Sequence, residues 1–307
     1  MEKKALLALS AATLTGLGAL TVTENYQQWQ RSELARLESG SQLIETALGP
    51  TEFASSGSGP TILILHGSPG GYDQALNLGP ALGLTNFSIL APSRPGYLRT
   101  PLSSGRSPEA QADLCAALLD ALHIETAIVL GISGGGPSAL QFALRHPEHC
   151  RALITLCAVT QRYNESEVYA QLALHQRLLN QLTDAALLSN ACIYILQGLT
   201  DLVSTSEHPE TKDMLKSFSL PSLRRPGYDN DMQQFASMDI YPVEQLAMPT
   251  FIAQGTADTS VPFAQAQWLA SKVPQARFVA VEGAGHMFFA THKDQVVPQL
   301  HSFLHAL

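Results

Sequence analysis

Short apolar runs recur along this chain and alternate with helical segments: TILIL at Thr61–Leu65, FSIL at Phe87–Leu90, AIVL at Ala127–Leu130, ALITL at Ala152–Leu156, TFIA at Thr250–Ala253 and RFVAV at Arg277–Val281. Strands with one solvated face alternate apolar and polar residues, whereas these runs are apolar throughout. That is the pattern of strands buried on both faces. The segments between them read as helices. Ser107 caps Pro108, and Leu114, Leu118 and Leu122 follow at four-residue spacing. Ser138–Arg145, Phe263–Lys272 and Val296–Ala306 read likewise. Alternating strands and helices predict an α/β fold, a mostly parallel sheet with helices on both faces. An initial hairpin is expected from Ser41–Thr46 and Thr51–Ser55 around Gly49-Pro50.

The rhythm breaks between Gln161 and Glu244, where leucine-rich helical stretches (Val168–Leu182, Asp184–Leu199) follow one another without strand-like runs. This block reads as a helical cap inserted into the sheet domain. The expected division is residues 41–160 with 245–307 as core, 161–244 as cap, 24–40 as a polar helical stalk or linker, and 1–23 as a separate N-terminal segment.

That N-terminal segment carries Lys3 and Lys4, then 18 uncharged residues from Ala5 to Val22, then Glu24. As a helix the run spans about 27 Å, close to a hydrocarbon core of about 30 Å. Three readings fit: a retained signal anchor, a cleaved signal peptide, and an amphipathic helix packed on the domain. The first two place the domain on the extracytoplasmic side, membrane-anchored or secreted.

Composition excludes other classes. Charged residues make up 14% and apolar ones 45%, against about 25% charged in ordinary globular chains, so disorder is excluded. The net charge of −8 and the lack of a basic stripe argue against nucleic acid as a partner. Cys115, Cys150, Cys157 and Cys192 show no zinc-ligand spacing and read as four buried thiols.

Chemistry concentrates in three places. Gly131-Ile132-Ser133-Gly134-Gly135-Gly136 lies between the AIVL strand and a helix. A serine on such a turn has its hydroxyl exposed, glycines on either side relieve crowding, and the Gly134 N–H faces an incoming anion. His66-Gly67-Ser68-Pro69-Gly70-Gly71 follows TILIL and offers the Ser68 N–H as a second donor, with His66 bracing the loop. Ala91-Pro92-Ser93-Arg94-Pro95-Gly96-Tyr97 follows FSIL.

These motifs resemble those of the α/β-hydrolase-fold serine hydrolases, over roughly Ser41 to Leu307 apart from the middle block. The resemblance implies the chain order nucleophile, acid, histidine. It points to Ser133 as nucleophile, Asp258 in Gln254-Gly255-Thr256-Ala257-Asp258 as acid, and His286 in Gly283-Ala284-Gly285-His286 as base. Ser68 and Gly134 become the oxyanion donors, and Gly67 and Tyr97 the candidate substrate contacts, Tyr97 and Arg94 at the active-site mouth or bracing its loop. The cap acids Asp201, Asp229, Asp231 and Asp239 read as solvated. The implied reaction is acyl transfer on a small carboxylic ester, with no metal or organic cofactor. Two alternatives stand beside it. One is an aminopeptidase or amidase resembling proline iminopeptidases, which requires cap acids such as Glu165, Glu167 or Glu207 to hold a free amine. The other is a non-catalytic binding protein of the same fold. The expected partner is a small ester or amide, with the membrane as a further partner if the N-terminal segment is uncleaved.

Overall fold

The computed structural model describes residues 22–203, 209–273 and 275–307. Among them, an eight-stranded sheet has the order β1-β2-β4-β3-β5-β6-β7-β8. Its strands are β1 (Gln42–Thr46), β2 (Gly49–Gly57), β3 (Thr61–Leu65), β4 (Ser88–Pro92), β5 (Ala127–Ile132), β6 (Cys150–Leu156), β7 (Thr250–Gly255) and β8 (Arg277–Val281). β1, β2 and β4 pair antiparallel, and every other pairing is parallel.

The apolar runs are buried on both faces because side chains alternate across the sheet. Ile62, Ile64, Ile128, Leu130, Ile154 and Phe251 point to one face. Leu63, Leu65, Val129, Leu153 and Ile252 point to the other. The first face is covered by α2 (Tyr72–Ala81), α11 (Phe288–Thr291) and α12 (Lys293–Leu304). The second is covered by α3 (Pro108–Ala121), α4 (Gly136–Arg145) and α10 (Phe263–Lys272). The Ser107 side chain accepts from the Ala110 N–H and starts α3.

Among the described residues, five α-helices connect β6 to β7: α5 (Glu165–Ala170), α6 (Leu174–Leu187), α7 (Asn190–Val203), α8 (Pro209–Lys216) and α9 (Arg225–Ala236). The sequence reading broke the long helical stretch near Thr183, whereas the breaks fall before Leu174 and after Leu187. No strand forms within this insertion among the described residues.

The polar stretch read as a stalk or linker is part of the fold. Residues 22–39 form helix α1. Leu37 is buried in the core and its carbonyl accepts from the Tyr72 hydroxyl at 2.8 Å. Trp29 donates to Gln197 of α7 at 2.8 Å. Widely spaced apolar residues among Gln, Arg and Glu make one docking stripe, which the polar composition concealed. The apolar run at Ala5–Val22 lies, apart from Val22, outside the described residues. Among those described, no single helix is long and apolar enough to cross a membrane.

Candidate active site

β3 is the point at which the winding of the sheet reverses, with β4 on one side and β5 on the other. Crevices form beyond strand ends at such a point. The loops carrying Ser68, Ser133, Asp258 and His286 follow β3, β5, β7 and β8 respectively, so all four emerge at the same edge.

Ser133 begins a tight turn directly after β5 and has φ of +50°. This is an uncommon conformation for a residue with a side chain. Its neighbours must be glycine for contact reasons. A Cβ on Gly135 would lie 2.1 Å from the Leu65 carbonyl oxygen, and one on Gly131 2.6 Å from Ala139 Cβ. Gly67 packs directly against Ser133, where an added Cβ would lie 3.2 Å from Ser133 Cβ.

His286 connects two of the predicted residues. Its Nε2 lies 3.1 Å from Ser133 Oγ and its Nδ1 2.7 Å from Asp258 Oδ2. Asp258 is buried and its geometry is over-determined. Oδ1 accepts from the Ser260 and Val261 N–H groups at 2.8 and 3.0 Å, and Oδ2 also accepts from Gln254 Nε2 at 2.8 Å. Nδ1–H therefore donates to Asp258, which leaves Nε2 as acceptor toward Ser133. Burial works to lower the His286 pKa, but the Cys157 sulfur and the Asp258 carboxylate outweigh it and hold it well above 6.5. Burial also pushes the Cys157 thiol up.

The Ser68 and Gly134 backbones lie together, since a Cβ on Gly134 would be 3.3 Å from Ser68 N. Neither N–H donates to a turn, loop or side-chain acceptor among the described residues. The pair can therefore receive an anionic oxygen above Ser133.

His66 is fully buried. It bonds the Gly67 carbonyl through Nδ1 and accepts from the Arg94 N–H through Nε2. Burial, then the nearby Arg94 charge, push its pKa well below 6.5, so it is a neutral brace.

Two assignments change. Tyr97 is fully buried rather than at the mouth, because its hydroxyl donates to Asp231 at 2.5 Å and its ring packs edge-on against His66. Asp231, read as solvated, is 1% exposed. It projects from α9 beneath the Ser68 loop and accepts from Arg94 Nη1 and Nη2 at 2.9 and 2.6 Å and from the Ser68 hydroxyl. Asp229 and Asp239 are exposed as expected. The Asp201 side chain lies outside the described residues.

The cysteines Cys115, Cys150 and Cys157 are buried and free, and Cys192 is half-buried because α7 leaves one flank open. Among the described residues, no three His, Cys, Asp or Glu side chains are grouped as metal ligands would be.

The cap adds a cavity of about 310 Å³ lined by Glu165, Tyr169, Arg177, Gln181, Asp184 and Tyr228. Tyr169 donates to Asp184 at 2.8 Å and Tyr228 to Glu165 at 3.1 Å. Burial, then repulsion from Asp184, raise the Glu165 pKa. Burial raises that of Asp184, opposed by the Tyr169 hydrogen bond and by the charge of His286. Of the expected cap acids, Glu165 is here and Glu167 is spent on an exposed pair with Arg162. Glu207 lies outside the described residues. Asp184 and Gln254 were missed. The signal for Gln254 was a polar residue closing an apolar strand.

Residues 60–293 match the sequence profile of the alpha/beta hydrolase fold. The chain belongs to that family. A solved alpha/beta hydrolase fold protein from Nakamurella multipartita is similar to this hydrolase at 33% identity, covering 86% of this chain and 97% of its own, with a TM-score of 0.68. A thermophilic esterase from Thermogutta terrifontis shares the hydrolase fold at 20% identity, covering 87% and 98%, with a TM-score of 0.64. Among curated proteins, a pimeloyl-(acyl-carrier protein) methyl ester esterase of Aromatoleum aromaticum is 26% identical over 241 residues, 76% of this hydrolase and 94% of that protein.

Proposed function

We propose that this alpha/beta hydrolase is a serine hydrolase that cleaves a carboxylic ester through an acyl-enzyme on Ser133. The observation that carries this reading is the unbroken chain from Asp258 through His286 to Ser133. Ser133 Oγ attacks the carbonyl carbon while His286 Nε2 takes its proton. The tetrahedral oxyanion is held by the Ser68 and Gly134 N–H groups, each worth about 3–4 kcal/mol. Collapse breaks the bond to the alcohol oxygen, which takes the proton back from His286. A water then attacks the acyl carbon, gives its proton to His286 and releases the acid, and the proton returns to Ser133. The methyl ester esterase relative supports an ester over other acyl donors.

A second reading has its own observation, the Glu165–Asp184 cavity close enough to His286 for charges to interact. Two carboxyl groups whose pKa values are raised by burial, that of Glu165 also by Asp184, favour a bound cation, so a substrate carrying a free amine also fits. One panel separates the readings. Fluorophosphonate labelling is expected for the wild type and lost in Ser133→Ala, and absence of wild-type labelling sinks both. Neutral p-nitrophenyl acyl esters are expected to turn over faster than proline anilides. Faster anilide cleavage, with a KM raised by Asp184→Asn for the amine-bearing substrate alone, would install the second reading.

A further inference from the structure

Cap helix α6 is amphipathic in the inverted sense, and α7 is apolar on both faces, with Ile193 buried inward and other apolar residues turned out. A helix on a water-soluble domain normally turns its apolar stripe inward. On α6 the inward residues are polar: Asn180 donates to the Thr259 carbonyl at 3.1 Å and Asp184 accepts from Tyr169. The outward residues are Leu174, Leu178 and Leu182, at four-residue spacing, with Leu179 beside them. Leu179 and Leu182 are 64% and 68% exposed. No residue of α6 is fully buried. On α7 the outward face carries Ile195 and Leu199, 57% and 52% exposed. No exposed position of α6, or of α7 as far as Thr200, carries Asp, Glu, Lys or Arg. The two helices meet at 95°, so their outward faces make one broad corner. Contiguous apolar surface of this kind marks an interaction site.

Three features indicate what covers it. The uncharged run Ala5–Val22 ends where α1 begins, and α1 lies on α7. The first half of α1 therefore lies against α7, whose outward face belongs to this corner. At that junction Tyr26, Trp29 and Tyr194 form a half-buried cluster with ring centroids 5.3–5.7 Å apart, the residue types that favour a membrane–water boundary. Finally, the net charge of −8 disfavours an anionic surface.

We propose that the outward faces of α6 and α7 dock on a zwitterionic lipid bilayer beside the N-terminal segment, with the apolar corner seated at the acyl boundary. The inward face of α6, which carries Asp184 and Asn180 next to the candidate active site, is thereby held at the lipid surface.

The test uses the full chain in a Cys192→Ser background, with Leu179→Cys or Ile195→Cys carrying an environment-sensitive fluorophore. Ser271→Cys, exposed at the far end of α10, is the control. Phosphatidylcholine vesicles are expected to shift the emission at 179 and 195 to the blue, and nitroxide-bearing lipid to quench it, with 271 unchanged. Failure to bind vesicles overturns the proposal. So does vesicle binding with water-like, unquenched emission at 179 and 195, which indicates tethering alone. Blue-shifted, lipid-insensitive emission before vesicles are added also overturns it, because residues 1–21 or a second copy then cover the face.

Discussion

At Ser133 the backbone is held in a left-handed conformation that costs about 1–3 kcal/mol, and Gly131, Gly135 and Gly67 leave no room for the turn to relax. The hydroxyl therefore meets His286 Nε2 without a search. The state of that imidazole sets the pH response. In the proposed mechanism His286 must be neutral to accept the Ser133 proton, and the Cys157 sulfur and the Asp258 carboxylate hold its pKa well above 6.5. Activity is then lost as pH falls through that raised value. The acid limb of kcat/KM on a p-nitrophenyl ester is expected to have its midpoint above 6.5. A midpoint below 6.5 would mean that burial, not these two neighbours, controls His286. The grouping of Ser133, Asp258 and His286 was legible because each stands in a short, small-residue segment just past an apolar run. Tyr97 and Asp231 were not. Their bond joins residues 134 apart, and burial of that pair is decided by packing between elements rather than by either local sequence.

The loop after β3 and helix α9 form one unit through that buried carboxylate. Asp231 accepts from the Ser68 hydroxyl, and Arg94 reaches both Asp231 and the His66 and Gly67 carbonyls. The cap thus fixes the loop that presents the Ser68 N–H. Asp231→Asn keeps the shape but leaves Arg94 buried without its counter-charge, a loss of about 3–5 kcal/mol of stability. It should also lower kcat by up to about 10²-fold, as expected when an oxyanion donor is misplaced by about 1 Å, with a smaller change in KM. Asp229→Asn, on the same helix but in an exposed pair with Arg225, should cost no more than about 1 kcal/mol and leave kcat alone. An unchanged kcat for folded Asp231→Asn removes the positioning role. Among elements, the inner strands β3 to β7 were legible because double-sided burial demands apolar runs, whereas β1 is mostly exposed and its hairpin turns at Ala47-Leu48 rather than at Gly49-Pro50. α2 was not, since Tyr72–Ala81 contains Pro80 and Gly79 and owes its helix to packing on β4.

Across the whole molecule, cap and core exchange buried ion pairs in both directions. Arg94 of the core reaches Asp231 of the cap, and Arg224 from the cap reaches Asp73 of α2 at 2.9 Å through both terminal nitrogens. Arg36 of α1 joins the same Asp73 at 3.4 Å. Opening the cap would strand an arginine and an aspartate on each side, at several kcal/mol per ion. The insertion, read from sequence as a helical cap inserted into the sheet domain, is therefore expected to melt with the sheet. Calorimetry should show one endotherm for the wild type. Arg224→Ala, which leaves Asp73 with only the half-buried Arg36, should lower stability by about 3–5 kcal/mol while keeping a single transition, because the Arg94–Asp231 joint remains. A separate low-temperature endotherm in the wild type would show that these pairs do not couple cap to core. The cap would then open independently, and the Ser68 loop would lose its support each time it did.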